Sequence, residues 1–307
     1  MEKRRIGSLE VSLAGLGCNN FGWRIDADAT AAVVNAAIDA GINFFDTADV
    51  YGSGQSEEYL GRALKGRRDR VLIATKFGMK MGEGKEGAKP AYIRQAIEDS
   101  LRRLGTEYID LYQIHRPDPS TQIADTLDAL DGLVKTGKVR EIGCSNFSAA
   151  QLREAAQAAK GARFVSVQNN YSLLHREPEA EVLPECERLG IAFLPYFPLA
   201  NGLLTGKYRK GQPFPKSSRA EDGFGPKIFT DENLALAEEL RGFAESRGHT
   251  LLELALSWLA SKRAVASVIA GAKTPEQVRA NAAAVGWPLS QADLDQVEGI
   301  LTAKAHP

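Results

Sequence analysis

A chain of 307 residues leaves room for two ordinary domains or one α/β barrel, and its net charge of -1 excludes the positive surplus that nucleic acid or an anionic membrane would attract. Hydrophobic residues at 44% and charged residues at 25% exclude a disordered chain, while three widely spaced cysteines, Cys18, Cys144 and Cys186, exclude a disulfide framework. The start, MEKRRIGSLEVS, lacks an apolar stretch of signal-peptide length, and no run of ~20 apolar residues follows anywhere, so the expectation is a cytoplasmic protein with neither a membrane nor a nucleic-acid partner.

In chain order, Arg5 to Ser12 across Gly7-Ser8 reads as a small hairpin that could plug the bottom of a barrel. Short β-branched or aromatic runs then predict strands at 14–16, 43–46, 71–75, 109–114, 142–145, 165–168, 192–196 and 267–269. Amphipathic stretches predict helices at 29–40, 57–64, 92–104, 123–136, 149–159, 179–189 and 231–247, with further helices at 250–260, 275–284 and 292–301. Ser56, Ser148 and Thr230 are expected N-caps, and Gly41, Gly105, Gly137 and Gly190 expected stops. Strands alternating with helices predict an α/β fold, a single (β/α)8 TIM barrel over 1–307 with an N-terminal β-hairpin and extra helices. Two long loops, 80–90 and 207–228, interrupt the rhythm and are expected on the strand C-terminal face, where barrels build their active sites.

Some apparent motifs fail their context. Gly82 to Gly87 spells GxGxxG but follows no strand directly and opens no apolar helix, so it is not a Rossmann turn. Gly132 to Lys138 nearly spells a phosphate loop, yet Val139 stands where Ser or Thr would hold magnesium, and a helix ends there instead of starting. His115, His175 and His249 lack metal-site spacing, and no metal is expected.

A grouping of ionisable residues is more informative. Asp46, Lys76 and His115 end or follow three consecutive predicted strands, and Tyr51 lies in the loop after Asp46. Singly each has an ordinary explanation, as a cap, a surface charge, a rim histidine or a loop aromatic; together they converge on one barrel mouth.

The segments GINFFDTADVYG (41–52), IATKFG (73–78), LYQIHRP (111–117), IGCSNF (142–147), VQNNYS (167–172) and PYFPLANGLLTGKY (195–208) resemble the aldo-keto reductase superfamily. The resemblance implies a nicotinamide cofactor lying across the barrel mouth, with Tyr51 as proton donor, Asp46 and Lys76 tuning it, and His115 orienting a carbonyl. It further implies that Ser145, Asn146 and Gln168 meet the carboxamide, that Tyr196 stacks on the ring, and that Pro198, Leu199, Gly202, Thr205 and Lys207 lie over the pyrophosphate. Gly271, Lys273, Gln277 and Asn281 match the adenosine end, and Lys273 as partner of a 2′-phosphate favours NADP(H) over NAD(H). Cys18 and Asn19, in the first strand-end loop, are also expected on the cofactor side; they stand where many relatives have Thr and Trp, and Gly271, Gln277 and Ala280 also depart from common family residues.

The physics of carbonyl reduction agrees with these roles, since negative charge develops on oxygen and needs an aimed donor. An ammonium beside the phenol eases proton release, and a carboxylate keeps that ammonium charged. Phe21, Trp23, Tyr51 and Phe77 are expected to line an apolar entrance, with 80–90 as a mobile flap. The expected protein is an NADP(H)-dependent reductase of small-molecule aldehydes and ketones, a monomer or weak homo-oligomer. An NAD(P)-dependent sugar or alcohol dehydrogenase, a slow cofactor-sensing regulatory subunit, and a Schiff-base aldolase using Lys76 are the alternatives.

Overall fold

The structure is a computed structural model that describes residues 1–209, 211–216, 218, 220 and 228–303. Lys210, Ser217, Arg219 and 221–227, within the expected second long loop, lie outside the described residues, as do 304–307.

Strands β1 (Lys3–Ile6) and β2 (Leu9–Ser12) pair antiparallel, as the turn residues predict. Gly7 has φ +55° there, and a side chain on it would run into the Glu141 carboxylate that accepts the Ser8 amide at 2.7 Å. Ile6, Leu9 and Val11 join Phe44, Ala74, Leu111, Leu194, Ala266 and Ile269 in a buried inner cluster, so the hairpin closes the bottom of the barrel.

The barrel strands are β3 (Ala14–Gly17), β4 (Phe44–Asp46), β5 (Leu72–Phe77), β6 (Ile109–Ile114), β7 (Val139–Ser145), β8 (Phe164–Asn170), β9 (Ala192–Tyr196) and β10 (Val268–Gly271). All pair parallel, from β3 through β9, and β10 lies against β3. Between β9 and β10 the ring closes through Phe193, whose N–H donates to Ala264 O (2.7 Å) and whose carbonyl accepts from Ala266 N–H (3.1 Å). The strand period of two sorts the side chains: Ala74 belongs to the inner cluster, whereas Ile73 and Phe77 pack outward under the helices. By the same alternation Lys76 is turned inward.

The helices are α1 (Ala27–Asp39), α2 (Gln55–Ala63), α3 (Pro90–Leu104), α4 (Ile123–Lys135), α5 (Ala149–Ala158), α6 (Val182–Leu189), α7 (Asp231–Glu245), α8 (Leu251–Ala260), α9 (Pro275–Ala283) and α10 (Gln291–Thr302). Ser148 and Thr230 cap α5 and α7 as predicted, Ser148 within a full capping box with Gln151.

Two expectations fail. Ser56 lies inside α2, not at its N-cap; its hydroxyl donates to Cys18 O at 2.8 Å, and the chain enters the helix through left-handed Gly54 after a 3-10 turn at Tyr51–Gly54. The helix expected from Glu179 starts only at Val182, because Pro184, which lacks an N–H, is tolerated in a first turn and not in an interior.

Candidate active site

Asp46 is the last residue of β4, and Lys76 is the fifth residue of β5. Their inward side chains meet below the barrel mouth, where Lys76 Nζ donates to Asp46 Oδ2 at 2.5 Å and to the Thr47 carbonyl at 2.9 Å. The pair is sealed, with Lys76 side chain 0% and Asp46 side chain 4% exposed. Tyr51 stands above it in the turn that follows β4, its hydroxyl 3.5 Å from Lys76 Nζ. His115, immediately after β6, meets the Tyr51 ring edge-on at a centroid distance of 5.8 Å. The four residues expected to act together therefore share one site.

Burial is the largest influence on Tyr51 and raises its pKa; Lys76 pulls it down, and Asp46 pushes it back up. The net effect is upward, opposite to the sequence expectation of an eased phenol, because desolvation outweighs the ammonium. Tyr51 is thus protonated at neutral pH, and the Lys76 field acts when the proton leaves. Burial alone would lower Lys76, but the charge of Asp46 and its hydrogen bond leave the ammonium above its ordinary value. Burial, with the charges of Lys76 and Arg116, lowers His115 to about 3, so the imidazole is neutral across the physiological range.

The second oxygen of Asp46 accepts from Gln168 Nε2 at 2.8 Å and from Gln113 Nε2 at 3.3 Å. Gln113 was missed from the sequence. Its signal is the strand period, since Leu111 belongs to the inner cluster and places Gln113 inward two residues on.

A cavity of about 570 Å³ opens over Tyr51 and His115 and runs to the N-terminus of α9. Every residue expected on the cofactor side lines it: Cys18, Asn19, Ser145, Asn146, Gln168, Tyr196, Pro198, Leu199, Gly202, Thr205, Lys207, Gly271, Lys273, Gln277 and Asn281. Asp46, Tyr51 and His115 line it too, while Lys76 lies behind them. Asn20, Arg24, Arg116, Asn201 and Leu252 also face it and were not picked out. Asn20 and Arg116 directly follow predicted residues at strand ends, which is the signal that could have found them.

At the reacting end, Asn146 is a junction held at φ +62°. Its Nδ2 donates to His115 O (3.0 Å) and Ser145 Oγ (3.1 Å), and its Oδ1 accepts from Tyr196 OH (2.8 Å). Ser145 Oγ in turn donates to Gln168 O at 2.7 Å. Ser145 Oγ and Asn146 Oδ1 each keep a lone pair in reserve, and Gln168 keeps one N–H, so the cluster can accept from and donate to a planar carboxamide.

Further along, positive φ at Phe197, Ala200, Asn201 and Gly202 bends the backbone concave, a shape suited to anions. At the far end Gln277 Oε1 accepts the Lys273 amide at 2.8 Å, and Thr274 caps α9. Gln277 thus braces the turn as well as lining the wall. The volume lies within the ~300–1,000 Å³ of small-molecule and cofactor sites, and the donors and acceptors fit a nicotinamide dinucleotide.

Two expectations need correction. Phe21 and Phe77 are fully buried, Phe77 stacked on Tyr112 at 4.8 Å, so neither forms an entrance; they face the barrel-helix layer. Cys18 does line the cavity, with its thiol beside Leu16 O (3.7 Å), and burial raises its pKa far above the ordinary value. Residues 80–90 do not line the cavity; Ala88 N–H is pinned to Asp118 Oδ2 at 2.7 Å and Gly87 N–H to Gly78 O at 3.0 Å. Among the described residues, no group of three His, Cys, Asp or Glu side chains is placed to hold a metal, and no helix is long and apolar enough to cross a membrane.

Behind the site, Asp49 is 1% exposed and neither carboxylate oxygen has a well-formed hydrogen bond. Burial, then repulsion from Glu57, raises it to about 7. The unfolded chain ionises first, so the cost to the fold grows as pH rises from about 4 to about 7 and then levels off. Asp49→Asn is expected to stabilise the protein by up to about 4 kcal/mol near pH 8 and by only about 2 kcal/mol near pH 5. Denaturant melts at the two pH values check this; a gain that is equal at both, or larger at the lower, contradicts it.

The Aldo/keto reductase family model matches residues 14–302. The chain belongs to that family. It is 36% identical to the aldo-keto reductase YhdN of Bacillus subtilis (strain 168), over 95% of this chain and 91% of that protein. It is 33% identical to a probable voltage-gated potassium channel subunit beta of Oryza sativa subsp. japonica, over 99% of this chain and 98% of that one. Among solved structures, the glycerol dehydrogenase AKR11B4 of Gluconobacter oxydans superposes with a TM-score of 0.87 at 34% identity, covering 99% of this chain and 97% of that chain. As an aldo-keto reductase the chain is an oxidoreductase of carbonyl compounds that uses a nicotinamide cofactor.

Proposed function

We propose that this aldo-keto reductase reduces aldehydes and ketones with NADPH, Tyr51 delivering the proton. The observation that carries the reading is the stack of Asp46, Lys76 and Tyr51 opening into a cavity beside the Ser145, Asn146 and Gln168 cluster. When bound, the nicotinamide supplies the hydride to the carbonyl carbon. Tyr51 OH and the neutral imidazole of His115 both face the space where the carbonyl oxygen would sit. His115 orients and polarises that oxygen by a hydrogen bond, and Tyr51 transfers its proton as charge accumulates there. The phenolate left behind is stabilised by Lys76, which Asp46 holds charged. Gln113 and Gln168 fix the carboxylate, and Tyr196, whose hydroxyl holds Asn146, would offer its ring to a bound nicotinamide.

Lys207 and Lys273 line the cavity and would meet the cofactor phosphates, Lys273 the 2′-phosphate, a placement that favours NADP(H) over NAD(H). Initial rates with NADPH and NADH test the preference: NADPH should be favoured, and Lys273→Ala should reduce the ratio of catalytic efficiencies by about tenfold, the worth of one charge-assisted contact. Equal efficiencies in the parent enzyme would remove the 2′-phosphate role. A screen of nicotinamide oxidation over aldehydes, ketones, sugars and dicarbonyls tests the activity itself, and silence with both cofactors would reject it.

The likeness to a glycerol dehydrogenase supports a second reading, the reverse direction on the same residues. Rates with polyols and oxidised cofactor, set against rates with the matching aldehydes, separate the two. The likeness to a channel beta subunit supports a slow regulatory role, against which the complete catalytic set stands. The protein is read as cytoplasmic, a monomer or weak homo-oligomer.

A further inference from the structure

Two guanidinium groups face the cavity and take no part in the chemistry above. Arg24, from the loop after β3, and Arg116, directly after His115, line the same space as Tyr51 and His115. Arg116 is exposed, and its charge is felt by His115 and, from a different strand, by Tyr196, on both of which burial is the larger influence. Arg116 lines the cavity together with His115 and Tyr196. Arg24 lies with its guanidinium carbon 4.4 Å over the Trp23 ring.

The charge balance of the cavity is equally one-sided. Among the described residues Asp46 is the only acid in its lining, and Lys76 neutralises it at 2.5 Å. Lys207 and Lys273 are matched by the cofactor phosphates in the reading above. Arg116 therefore adds a positive charge that no acid among the described lining residues matches, although the whole chain carries a net charge of -1. Beside these cations Phe197, 39% exposed, offers an apolar surface for the body of a substrate.

We infer that the preferred substrates are aldehydes or ketones carrying a carboxylate, which Arg116 binds at the mouth while the carbonyl lies at Tyr51 and His115. This rests on the reductase reading and names the substrate class of that site. The planar fork of a guanidinium matches a carboxylate with two parallel hydrogen bonds. In the reaction the hydride adds to the carbonyl carbon, the C=O π pair moves to oxygen and takes the Tyr51 proton, and the carboxylate leaves unchanged on the alcohol product.

Two matched pairs test the inference: 4-formylbenzoate against its methyl ester, and succinic semialdehyde against butanal, each with NADPH. The ester is the more electrophilic of the aromatic aldehydes, so a preference for the acid reports binding. The expected result is a kcat/KM about tenfold or more in favour of the acids, expressed in KM and shrinking as salt is added. In Arg116→Gln the acid-to-neutral ratio should fall towards one, and Arg116→Lys should restore part of it. Neutral substrates turned over as well as the acids, or a preference undiminished in Arg116→Gln, would overturn the inference and leave the reductase reading standing. No oxidation of NADPH with any of the four would instead remove the reading beneath it.

Discussion

Tyr51→Phe should lower kcat by on the order of 10³-fold while cofactor affinity stays within about twofold of the parent. The substitution removes one oxygen and keeps the ring that packs edge-on against His115. Lys76 remains paired with Asp46, so the charge beneath the site is preserved. In the proposed mechanism what disappears is the donor facing the carbonyl oxygen, and the developing alkoxide must then take its proton from solvent. Fluorescence titration with NADPH and single-turnover rates measure the two effects separately. Turnover near that of the parent would assign the proton to another group; a large loss of affinity would make the phenol a binding residue.

Asp46→Leu should be the most damaging single change to the fold. It leaves Lys76 Nζ, 0% exposed, with the Thr47 carbonyl and the Tyr51 hydroxyl but no counter-charge, and deprives Gln113 and Gln168 of their acceptor. Removing one member of a buried pair costs about 3–5 kcal/mol, because the remaining charge stays desolvated. Lys76 then meets burial unopposed by a carboxylate, and its pKa falls. The double substitution Asp46→Leu with Lys76→Met should recover much of the stability and none of the activity, since two apolar side chains can share the site without a charge. Equilibrium unfolding of the two variants checks this; equal stability of the single and double substitutions would show that the ion pair is not what the fold depends on.

The fold was legible because each strand is short, apolar and followed by an amphipathic stretch, and parallel sheets buried on both faces have this texture. The convergence of the candidate residues was legible for a related reason: Asp46, Lys76 and His115 are ionisable residues at the ends of apolar runs. Side-chain direction was harder to read. Phe21 and Phe77 sit within a few residues of the mouth, yet the strand period sends Phe77 to the helix layer, and one residue of phase decides between cavity and core. Gln113 went unnoticed for the complementary reason, as a polar residue inside an apolar run, turned inward to reach a carboxylate far away in the chain. The upward pKa of Tyr51 was equally hidden, because its burial depends on elements that meet only in the folded barrel. Ser56 looked like a cap and was recruited by Cys18 O, a tertiary demand that local propensity does not register.

The division of labour along the chain has an evolutionary consequence. Asp46, Tyr51, Lys76 and His115 all lie in the first half of the ring, whereas Ser145, Asn146, Gln168, Tyr196 and the anion-suited turns lie in the second. The halves are stitched at this level by Gln168 to Asp46 and Asn146 to His115 O. In the proposed reading, mutational drift that retunes coenzyme choice through these second-half residues can therefore accumulate with little effect on the acid chemistry of the first half, provided those two seams are inherited unchanged.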